Sequence, residues 1–456
     1  MADDVWSAMP FDQAVQVNPA VRLERGSVYP FVDMQAVDQG SRSVGPSELR
    51  EFHGGGSRFI NGDTLMARIT PCLENGKIAR YSAPKGKVIG HGSTEFIVIR
   101  GRPNVTDNDF AYYLTKWDGV RRYCISQMTG SSGRQRVPIS VLSHCEVTIP
   151  PLKEQQAIAR ILGTLDDKIE LNRRMNQTLE EMARAIFKSW FVDFDPVRAK
   201  AAVRREHPDW TNEQVSRAAC PKLKPEIAEL FPDSFEDSEL GEIPKGWRIG
   251  KFGDCCNVKG GYAYKSKDFA DEGYPLVRIK NITTEKTVDL FDVVYIPEDI
   301  ALQTRSFWLS DGDLLMAMTG ATIGKFGLIV NRKEMSPAVL NQRVAKIAQK
   351  NTQANKSWFI FVALIVTDVY EQVLNIGGGS AQPNISSSQI ENCRFVGPSD
   401  AIILSFTNHV DPIMQKWLSN LKEVAHLATL RDTLLPKLIS GELRIPDAER
   451  IAGRCV

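Results

Sequence analysis

The sequence lacks the features that mark a membrane or secreted protein. No apolar run in its 456 residues approaches the ~20 residues that a membrane-spanning helix needs. Its first residues, MADDVWSAMPFDQ, contain no basic segment followed by an apolar one, so we expect no signal peptide and a cytoplasmic protein.

Metal and nucleotide motifs are absent as well. The eight cysteines are scattered, and the only close pair, Cys255 and Cys256, is adjacent rather than spaced for zinc, so we expect free thiols. The six histidines show no metal-ligand spacing, and no Gly-x4-Gly-Lys-Ser/Thr segment occurs. We therefore expect no metal, no cofactor and no ATP-driven activity.

The chain has almost no net charge. With a formal charge of +1, composition gives no support for nucleic-acid binding, which needs Lys and Arg against phosphates. Local clusters occur at Arg121-Arg122 and at Arg134-Gln135-Arg136, although each by itself is typical of a solvated surface. The length predicts at least two domains, each with its own core.

What the sequence does contain is an internal repeat. The segment SGRQRVPISVLSHCEV at 132–147 resembles SAQPNISSSQIENCRF at 380–395, an offset of 248 residues. The same offset continues without a gap through the apolar positions of the segments that follow. Upstream, NGDTLMAR at 61–68 resembles DGDLLMAM at 311–318, at an offset of 250. We therefore predict a duplicated module, each copy followed by a long helix.

The predicted fold class is α+β, with two pseudo-symmetric α/β modules separated by two long antiparallel coiled-coil helices. Period-two patterns with Gly-Asp turns predict strands at 95–100, 275–280 and 326–330. Helical patterns predict one helix per module, at 109–126 and 356–374, and a short helix at 212–219. The expected boundaries are 1–151 (module 1), 152–194 (first helix), 195–240 (connector), 241–397 (module 2), 398–445 (second helix) and 446–456 (tail).

The first long helix has an apolar seam. Its apolar residues recur at alternating spacings of four and three, at Ile158, Leu162, Leu165 and Ile169. This is the a and d pattern of a coiled coil and calls for a partner helix.

The same phase then reaches two polar residues, Asn172 and Asn176. One interpretation is that the seam shifts to Leu171 and Met175, which leaves both Asn residues on the flank. The other places them in the seam. In that case Asn172, at the middle of 154–190, and its repeat Asn420 face each other near a pseudo-twofold axis. Such a buried pair fixes the register of the helices at a cost in stability.

At these helices the chain resembles a known family. Four segments are similar to type I restriction–modification specificity subunits: PLKEQQAIARILGTLDDKIELNRR at 151–174, AIFKSWFVDFD at 185–195, LGEIPKGW at 240–247 and LRDTLLPKLISGEL at 430–443. The resemblance implies a non-catalytic DNA-reading scaffold with two target-recognition domains. It also implies two methyltransferase subunits and restriction subunits as partners, with exposed helix charges such as Glu170, Arg173, Arg174, Glu180 and Glu181 as contact surface.

The helices also predict a spacing between the two modules. About 37 helical residues at ~1.5 Å each span ~55 Å. A spacer of that size can hold two readers on major-groove segments about one duplex turn, ~34 Å, apart. The sequence therefore predicts a bipartite double-stranded DNA target.

Base reading uses Arg for guanine and Asn or Gln for adenine, while Lys, Ser and Thr often contact phosphates. On these grounds the expected DNA contacts of module 1 are Arg68, Thr70, Lys77, Arg134, Gln135 and Arg136. Those of module 2 are Arg278, Lys280, Asn281, Thr319, Thr322, Lys325, Gln382 and Asn384. The two sets differ, so we expect an asymmetric target. The alternative is that the Gly-rich loops only shape the backbone or touch phosphate.

Catalysis by the chain itself is not expected. A DNA methyltransferase needs an Asn/Asp-Pro-Pro-aromatic motif, and the nearest segment, Asp195-Pro196-Val197, lacks the second Pro and the aromatic. Two other functions stay open: a two-domain coiled-coil adaptor that does not bind DNA, and a specificity protein of a type II-like system. A steep salt dependence and a sequence preference in DNA binding would separate the DNA-binding functions from the adaptor.

Overall fold

The computed structural model describes residues 5–131, 133–290, 293–331, 336–352, 356–377 and 384–453. It forms two compact units, residues 1–172 with 423–456 (unit 1) and residues 173–422 (unit 2). Each unit contains one module and one end of both long helices. The division into units therefore falls within the helices, whereas the expected boundaries treat each helix as a separate segment.

The elements follow the chain in order. The strands are β1 Ser7–Pro10, β2 Val15–Val17, β3 Val28–Val32, β4 Ser43–Val44, β5 Glu48–Glu51, β6 Ser57–Ile60, β7 Thr64–Ala67, β8 Ile78–Tyr81, β9 Ile89–Gly92, β10 Phe96–Gly101, β11 Glu146–Ile149, β12 Phe235–Ser238, β13 Gly241–Pro244, β14 Arg248–Lys251, β15 Cys256–Gly260, β16 Tyr274–Val277, β17 Val294–Ile296, β18 Leu314–Ala317, β19 Phe326–Leu328, β20 Val339–Leu340, β21 Val344–Gln349 and β22 Arg394–Gly397.

The helices are α1 Phe11–Ala14, α2 Asn108–Lys116, α3 Asp118–Ser126, α4 Ile139–Ser143, α5 Leu152–Phe191, α6 Asp195–Glu206, α7 Asn212–Ala219, α8 Pro225–Ala228, α9 Glu298–Gln303, α10 Trp358–Val366, α11 Val369–Gly377, α12 Ser387–Glu391, α13 Asp400–Ile439 and α14 Ile445–Ala452. Short 3-10 turns cover Phe252–Asp254, Ser266–Asp268, Ile279–Asn281, Arg305–Phe307 and Gly320–Thr322. The short helix expected at 212–219 is confirmed.

The repeat is visible in the sheets. Module 1 has a five-stranded sheet of order β2-β10-β7-β8-β4, and module 2 a four-stranded sheet of order β15-β21-β18-β19. In module 1, Phe96 pairs with Ala67 across antiparallel strands, and in module 2 Val344 pairs with Ala317. These pairs differ by 248 and 250 residues, the two offsets found in the sequence. The duplication therefore extends to strand register, where a slip of one residue would turn every side chain to the other face.

A second sheet repeats in the same way. Module 1 has the order β5-β3-β9-β6 and module 2 the order β17-β16-β20. Each contains one parallel pair, β3 with β9 and β16 with β20, within an otherwise antiparallel sheet. The duplicated modules thus share a mixed topology as well as a sequence pattern.

The single helix expected in each module is wrong in detail, because both are broken in two. At 109–126 the chain leaves the helical conformation at Trp117, whose ψ of 135° is extended, so α2 and α3 are separate. At 356–374 the break falls at Thr367, with ψ of 172°. Among the described residues no single helix has the length and apolar content to cross a membrane, and α10 with α11 reaches that level only as a pair bent by 72°.

The connector folds into a small helical cluster in unit 2. The Lys200 side chain on α6 is buried and donates to the backbone carbonyls of Ala228 and Phe231 and to Asn212 Oδ1. Burial lowers the pKa of Lys200. These bonds join α6 to α7 and to the end of α8, so the connector is an ordered structure.

The two long helices, α5 and α13, run antiparallel in each unit. In unit 1, Lys168 lies 3.4 Å from Glu423 and Asp166 lies 2.6 Å from Arg431, so residue numbers fall along one helix as they rise along the other. In unit 2, Asn176 Nδ2 donates to the backbone carbonyl of Trp417. The predicted seam is confirmed, since all four of its first apolar positions are buried, at Ile158, Leu162, Leu165 and Ile169.

Candidate nucleic-acid interface

Two loops of module 1 that carry expected DNA contacts lie side by side. Ile69 and Arg136 form an antiparallel bridge, and the Thr70 N–H donates to the Gln135 carbonyl at 3.0 Å. Thr70 Oγ1 in turn accepts from the Gln135 N–H at 3.0 Å. The segments 68–70 and 134–136 therefore form one surface of module 1. The Thr70 hydroxyl contributes to this surface by holding the two loops together.

Arg136 forms hydrogen bonds within the module. Its Nε and Nη2 donate to the carboxylate of Glu95, with distances of 3.0 and 2.7 Å, and its Nη1 donates to the Arg134 carbonyl. Lys77 is similarly engaged, because its Nζ donates to the Met34 carbonyl at 2.8 Å. These bonds favour a structural role for both residues, with Arg136 bracing the loop.

Arg68 and Arg134 have donors without a partner among the described residues. Arg134 is exposed, and no side-chain bond is found for it among the described residues. Arg68 is half-buried, and its buried Nε has no hydrogen-bond partner there. A buried N–H without an acceptor costs ~1–3 kcal/mol, so such a group is more stable when a ligand supplies the acceptor. Gln135, half-buried beside Arg134, adds an amide to the same surface.

The corresponding loops of module 2 also converge. Thr319 and Asn384 form an antiparallel bridge, the counterpart of the bridge between Ile69 and Arg136. An added Cβ on Gly320 would lie 3.7 Å from Ile279 Cδ1, which places the segment 278–281 beside the same turn. Asn384 is exposed, and Gln382 lies outside the described residues.

Three polar side chains of this module 2 surface have buried atoms without a partner in the part of the chain that the structure describes. They are the hydroxyls of Thr319 and Thr322 and the Nε of Arg278, whose guanidinium lies 5.9 Å from the ring centre of Phe269. Lys325 follows in the same turn and is half-buried, and Lys280 is exposed. The surface therefore offers two hydroxyls and a guanidinium N–H that no described residue satisfies.

Asn281 does not fit its predicted role. It is 3 % exposed, and its Oδ1 accepts from the backbone N–H of Arg278 at 2.9 Å. Its position caps the 3-10 turn at 279–281, because Asn readily hydrogen-bonds neighbouring backbone groups. Burial thus excludes the direct base contact expected of Asn281 in this conformation.

Beneath each surface, a buried aspartate fixes the hairpin that carries it. Asp63 accepts from Arg100 Nε at 2.6 Å and from the Ile60 N–H, and this bond raises the pKa of the Arg100 guanidinium. In module 2, Asp313 pairs with Lys346 at 2.6 Å. Burial raises the pKa of Asp313 above its ordinary value although Lys346 opposes the shift. In each module the aspartate of the Gly-Asp turn therefore forms an ion pair with a basic side chain.

The Asn residues of the helices lie in the seam. Asn172 and Asn420 are fully buried, whereas Leu171 is 52 % exposed, so the interpretation that shifts the seam to Leu171 is wrong. Asn420 Nδ2 donates to Asn176 Oδ1 at 2.9 Å. Both polar atoms of the Asn172 side chain lack a partner among the described residues. The facing of Asn172 and Asn420 stays a prediction.

Sequence patterns missed two groups of residues. The sequence pattern places Glu95 only in a strand, although a carboxylate one strand away from a cluster of arginines is a signal of an ion pair. The second group lies in unit 1, where Asp166 accepts from Arg431 Nη1 at 2.6 Å and from the Tyr113 hydroxyl at 2.7 Å. Burial by itself lowers the pKa of Arg431, but the carboxylates of Asp166 and Asp432 raise it above its usual value. Among the described residues no three His, Cys, Asp or Glu side chains group as metal ligands.

The chain is similar to proteins of one known family. Residues 60–181 and 244–410 match the sequence profile of the family described as type I restriction modification DNA specificity domain. The chain is 27 % identical over 432 residues to the type I restriction enzyme HindI specificity subunit of Haemophilus influenzae, covering 87 % of this chain and 90 % of that protein. It is 26 % identical over 448 residues to the EcoAI specificity subunit of Escherichia coli, covering 86 % and 74 %.

A similar fold is known from a crystal structure. The S subunit of a type I restriction–modification system from M. genitalium superposes with a TM-score of 0.51 at 16 % identity, covering 96 % of this chain and 97 % of that one. At this identity the likeness concerns the fold. It confirms the predicted class of two recognition modules with two long helices.

Proposed function

The chain belongs to the type I restriction–modification DNA specificity family, and we propose that it reads a bipartite, asymmetric DNA target with one half-site per module. In this proposal it works in the cytoplasm as a scaffold, and the methyl transfer and cleavage are carried out by its partner subunits. The repeat supports two readers, because each module has the same sheets and the same pair of converging loops.

The observation that carries the proposal is the distribution of buried polar atoms without partners. Ten side chains among the described residues have such atoms, and four of them belong to the expected DNA contacts: Arg68, Arg278, Thr319 and Thr322. Buried polar groups are nearly always hydrogen-bonded in folded proteins. Their concentration on the two loop surfaces supports a polar ligand there, and base edges and phosphates supply both acceptors and donors.

Asymmetry of the target is supported by the chemistry of the two surfaces. Module 1 presents guanidinium groups at Arg68 and Arg134, which suit guanine O6 and N7. In module 2 the equivalents are Met318, which is buried, and Gln382. Hydroxyls at Thr319 and Thr322 take a larger share of that surface. Different side chains at equivalent places select different bases.

The helices suit the role of spacer between half-sites. Each of the two has 40 residues, which at ~1.5 Å per residue gives a length of ~60 Å. Their apolar seam and buried amides hold a fixed register, which a constant distance between two readers requires.

A second stripe on α5 supports docking of a partner helix. Met175, Met182 and Ala185 follow one another on α5 at spacings of seven and three, and Val192, seven residues further, comes directly after the helix. Met182 is 47 % exposed and Val192 41 % exposed. An exposed stripe at heptad spacing suits a helix of another subunit. We assign it to a methyltransferase subunit, with two such subunits and the restriction subunits completing the complex.

DNA binding tests the proposal directly. The chain with its methyltransferase should shift a bipartite duplex at nanomolar protein, with a log Kd that rises steeply with log salt. A flat salt response without sequence preference would contradict DNA reading and favour an adaptor. For the partner surface, Met182→Glu should reduce co-purification of the methyltransferase. Leu302→Glu, an exposed apolar position on α9, is the matched control and should not.

A further inference from the structure

The structural repeat identifies a position at which the two modules carry opposite charges. In module 1 this position is Glu95. Adding the offset of 248 gives Arg343 in module 2. Neither residue was among the contacts expected from the sequence patterns.

The backbone shows that the two positions are equivalent. The Glu95 carbonyl accepts from the Arg68 N–H at 2.9 Å, and the Arg343 carbonyl accepts from the Met318 N–H at 2.9 Å. The preceding turns match as well. The Glu95 N–H donates to Ser93 Oγ at 3.2 Å, and the Arg343 N–H donates to Asn341 Oδ1 at 3.2 Å.

The loops opposite these turns are also equivalent. The Val137 N–H donates to the Arg68 carbonyl, and the Ile385 N–H donates to the Met318 carbonyl, both at 2.9 Å. In each module the next residue of the hairpin bridges to this loop, through Ile69 with Arg136 or through Thr319 with Asn384. Arg343 therefore lies one backbone hydrogen bond from the turn that carries Thr319.

The side chains at the two positions have different surroundings. Glu95 is bound by Arg136, so the negative and positive charges cancel inside module 1. In module 2 the repeat has Asn384 in place of Arg136 and Arg343 in place of Glu95. Arg343 is exposed, and no ion pair with a carboxylate is found for it among the described residues. Module 2 thus has an exposed arginine one backbone hydrogen bond from the turn that carries Thr319, whose buried hydroxyl has no partner among the described residues.

We propose that Arg343 is a DNA-contacting residue of module 2 and determines part of the second half-site. This rests on the proposed function. A guanidinium has five donors in a rigid fork and is well suited to guanine or phosphate in a groove. In module 1, Arg68 and Arg134 have this role. The position equivalent to Arg343 is Glu95, which is neutralised by its ion pair with Arg136. The charge on each reading surface is therefore supplied from different positions of the repeat.

The test is binding of the chain with its methyltransferase to the cognate duplex and to duplexes changed in either half-site. Arg343→Ala should raise Kd about tenfold or more on the cognate duplex, the range of a lost bidentate contact. It should also flatten discrimination in the second half-site only. Arg248→Ala, an exposed arginine on strand β14 of the same module, is the matched control and should bind as wild type.

A double variant separates loss of contact from loss of fold. Arg343→Glu with Asn384→Arg recreates the charge pair of module 1 and should keep the thermal midpoint while losing affinity about as Arg343→Ala does. Wild-type affinity and discrimination for Arg343→Ala would overturn the inference while leaving DNA reading intact. Failure of the wild-type chain to bind any bipartite duplex would instead overturn the proposed function.

Discussion

Asn420 Nδ2 donates a 2.9 Å hydrogen bond to Asn176 Oδ1, and Asn176 Nδ2 donates to the Trp417 backbone carbonyl. Both amides are buried in the seam between α5 and α13, where an apolar residue is the usual occupant. The bond joins one position on each helix, so it specifies a single alignment of the pair. A buried polar pair of this kind trades stability for a unique register.

Replacing one member of the pair should cost more than replacing both. Asn420→Leu leaves Asn176 Oδ1 without its donor, which costs ~1–3 kcal/mol. In Asn176→Leu with Asn420→Leu the buried amides are gone, so the double variant should be more stable than the sum of the single effects. Urea unfolding of all four proteins measures this coupling. Additive effects would contradict the pairing.

Asn172 should behave in the opposite way. It is fully buried and neither polar atom of its side chain has a partner among the described residues. The offset of 248 relates Asn420 to Asn172 and Asn176 to Val424. By analogy with the pair of Asn420 and Asn176, the position opposite Asn172 is therefore Val424, whose side chain offers no hydrogen bond. Asn172→Leu should therefore raise the thermal midpoint, by the equivalent of ~1–3 kcal/mol. A fall in the midpoint would indicate that the amide is satisfied in solution.

The buried ion pair of unit 1 should be far more sensitive than the exposed one. Arg431→Met leaves Asp166 as a buried charge without its cation, which costs ~3–5 kcal/mol. Lys168→Met removes a pair whose two side chains are about one-third exposed, with Glu423, and should cost less than ~1 kcal/mol. Chemical unfolding compares the two. Equal effects would contradict the energetic importance given to the Asp166 network.

Asp411 should make unit 2 sensitive to acid. Burial by itself raises the pKa of Asp411, but hydrogen bonds from Lys356 Nζ and Trp358 Nε1 outweigh it and lower the pKa below its ordinary value. A depressed carboxyl pKa stabilises the fold above the unfolded pKa of ~3.9, and this is lost as pH falls through the folded pKa.

The corresponding variant is Asp411→Asn, which should lower the thermal midpoint near neutral pH. The difference from wild type should shrink as pH falls below about 4. Glu226→Gln, at an exposed carboxylate, is the matched control and should show no such convergence. A difference that stays constant with pH would show that Asp411 acts through packing rather than charge.

Much of the fold follows from local patterns. The seam at Ile158 to Ile169 and the duplicated registers around 67 and 317 depend on spacing, which the sequence displays directly. The break at Trp117 is harder to place, because Asp118 and Gly119 are weak helix formers but stand inside a longer helical pattern.

Less of the site follows from sequence, since it depends on non-local pairing. Arg134 and Arg136 look alike in the sequence, yet only Arg136 meets Glu95, 41 residues away. Asn281 has the chemistry of a base reader, but its oxygen is used by the Arg278 N–H. Residue type predicts what a side chain can bind, and the tertiary structure decides whether its donors and acceptors are available.

The most direct test of two readers on a fixed spacer is to lengthen both helices together. Seven residues inserted between Leu171 and Asn172 and seven between Ser419 and Asn420 preserve the heptad phase and add ~10 Å to the pair. The target selected from randomised duplexes, with the methyltransferase present, should keep both half-sites and gain about three base pairs of spacer at ~3.4 Å each. An unchanged spacer would contradict the account.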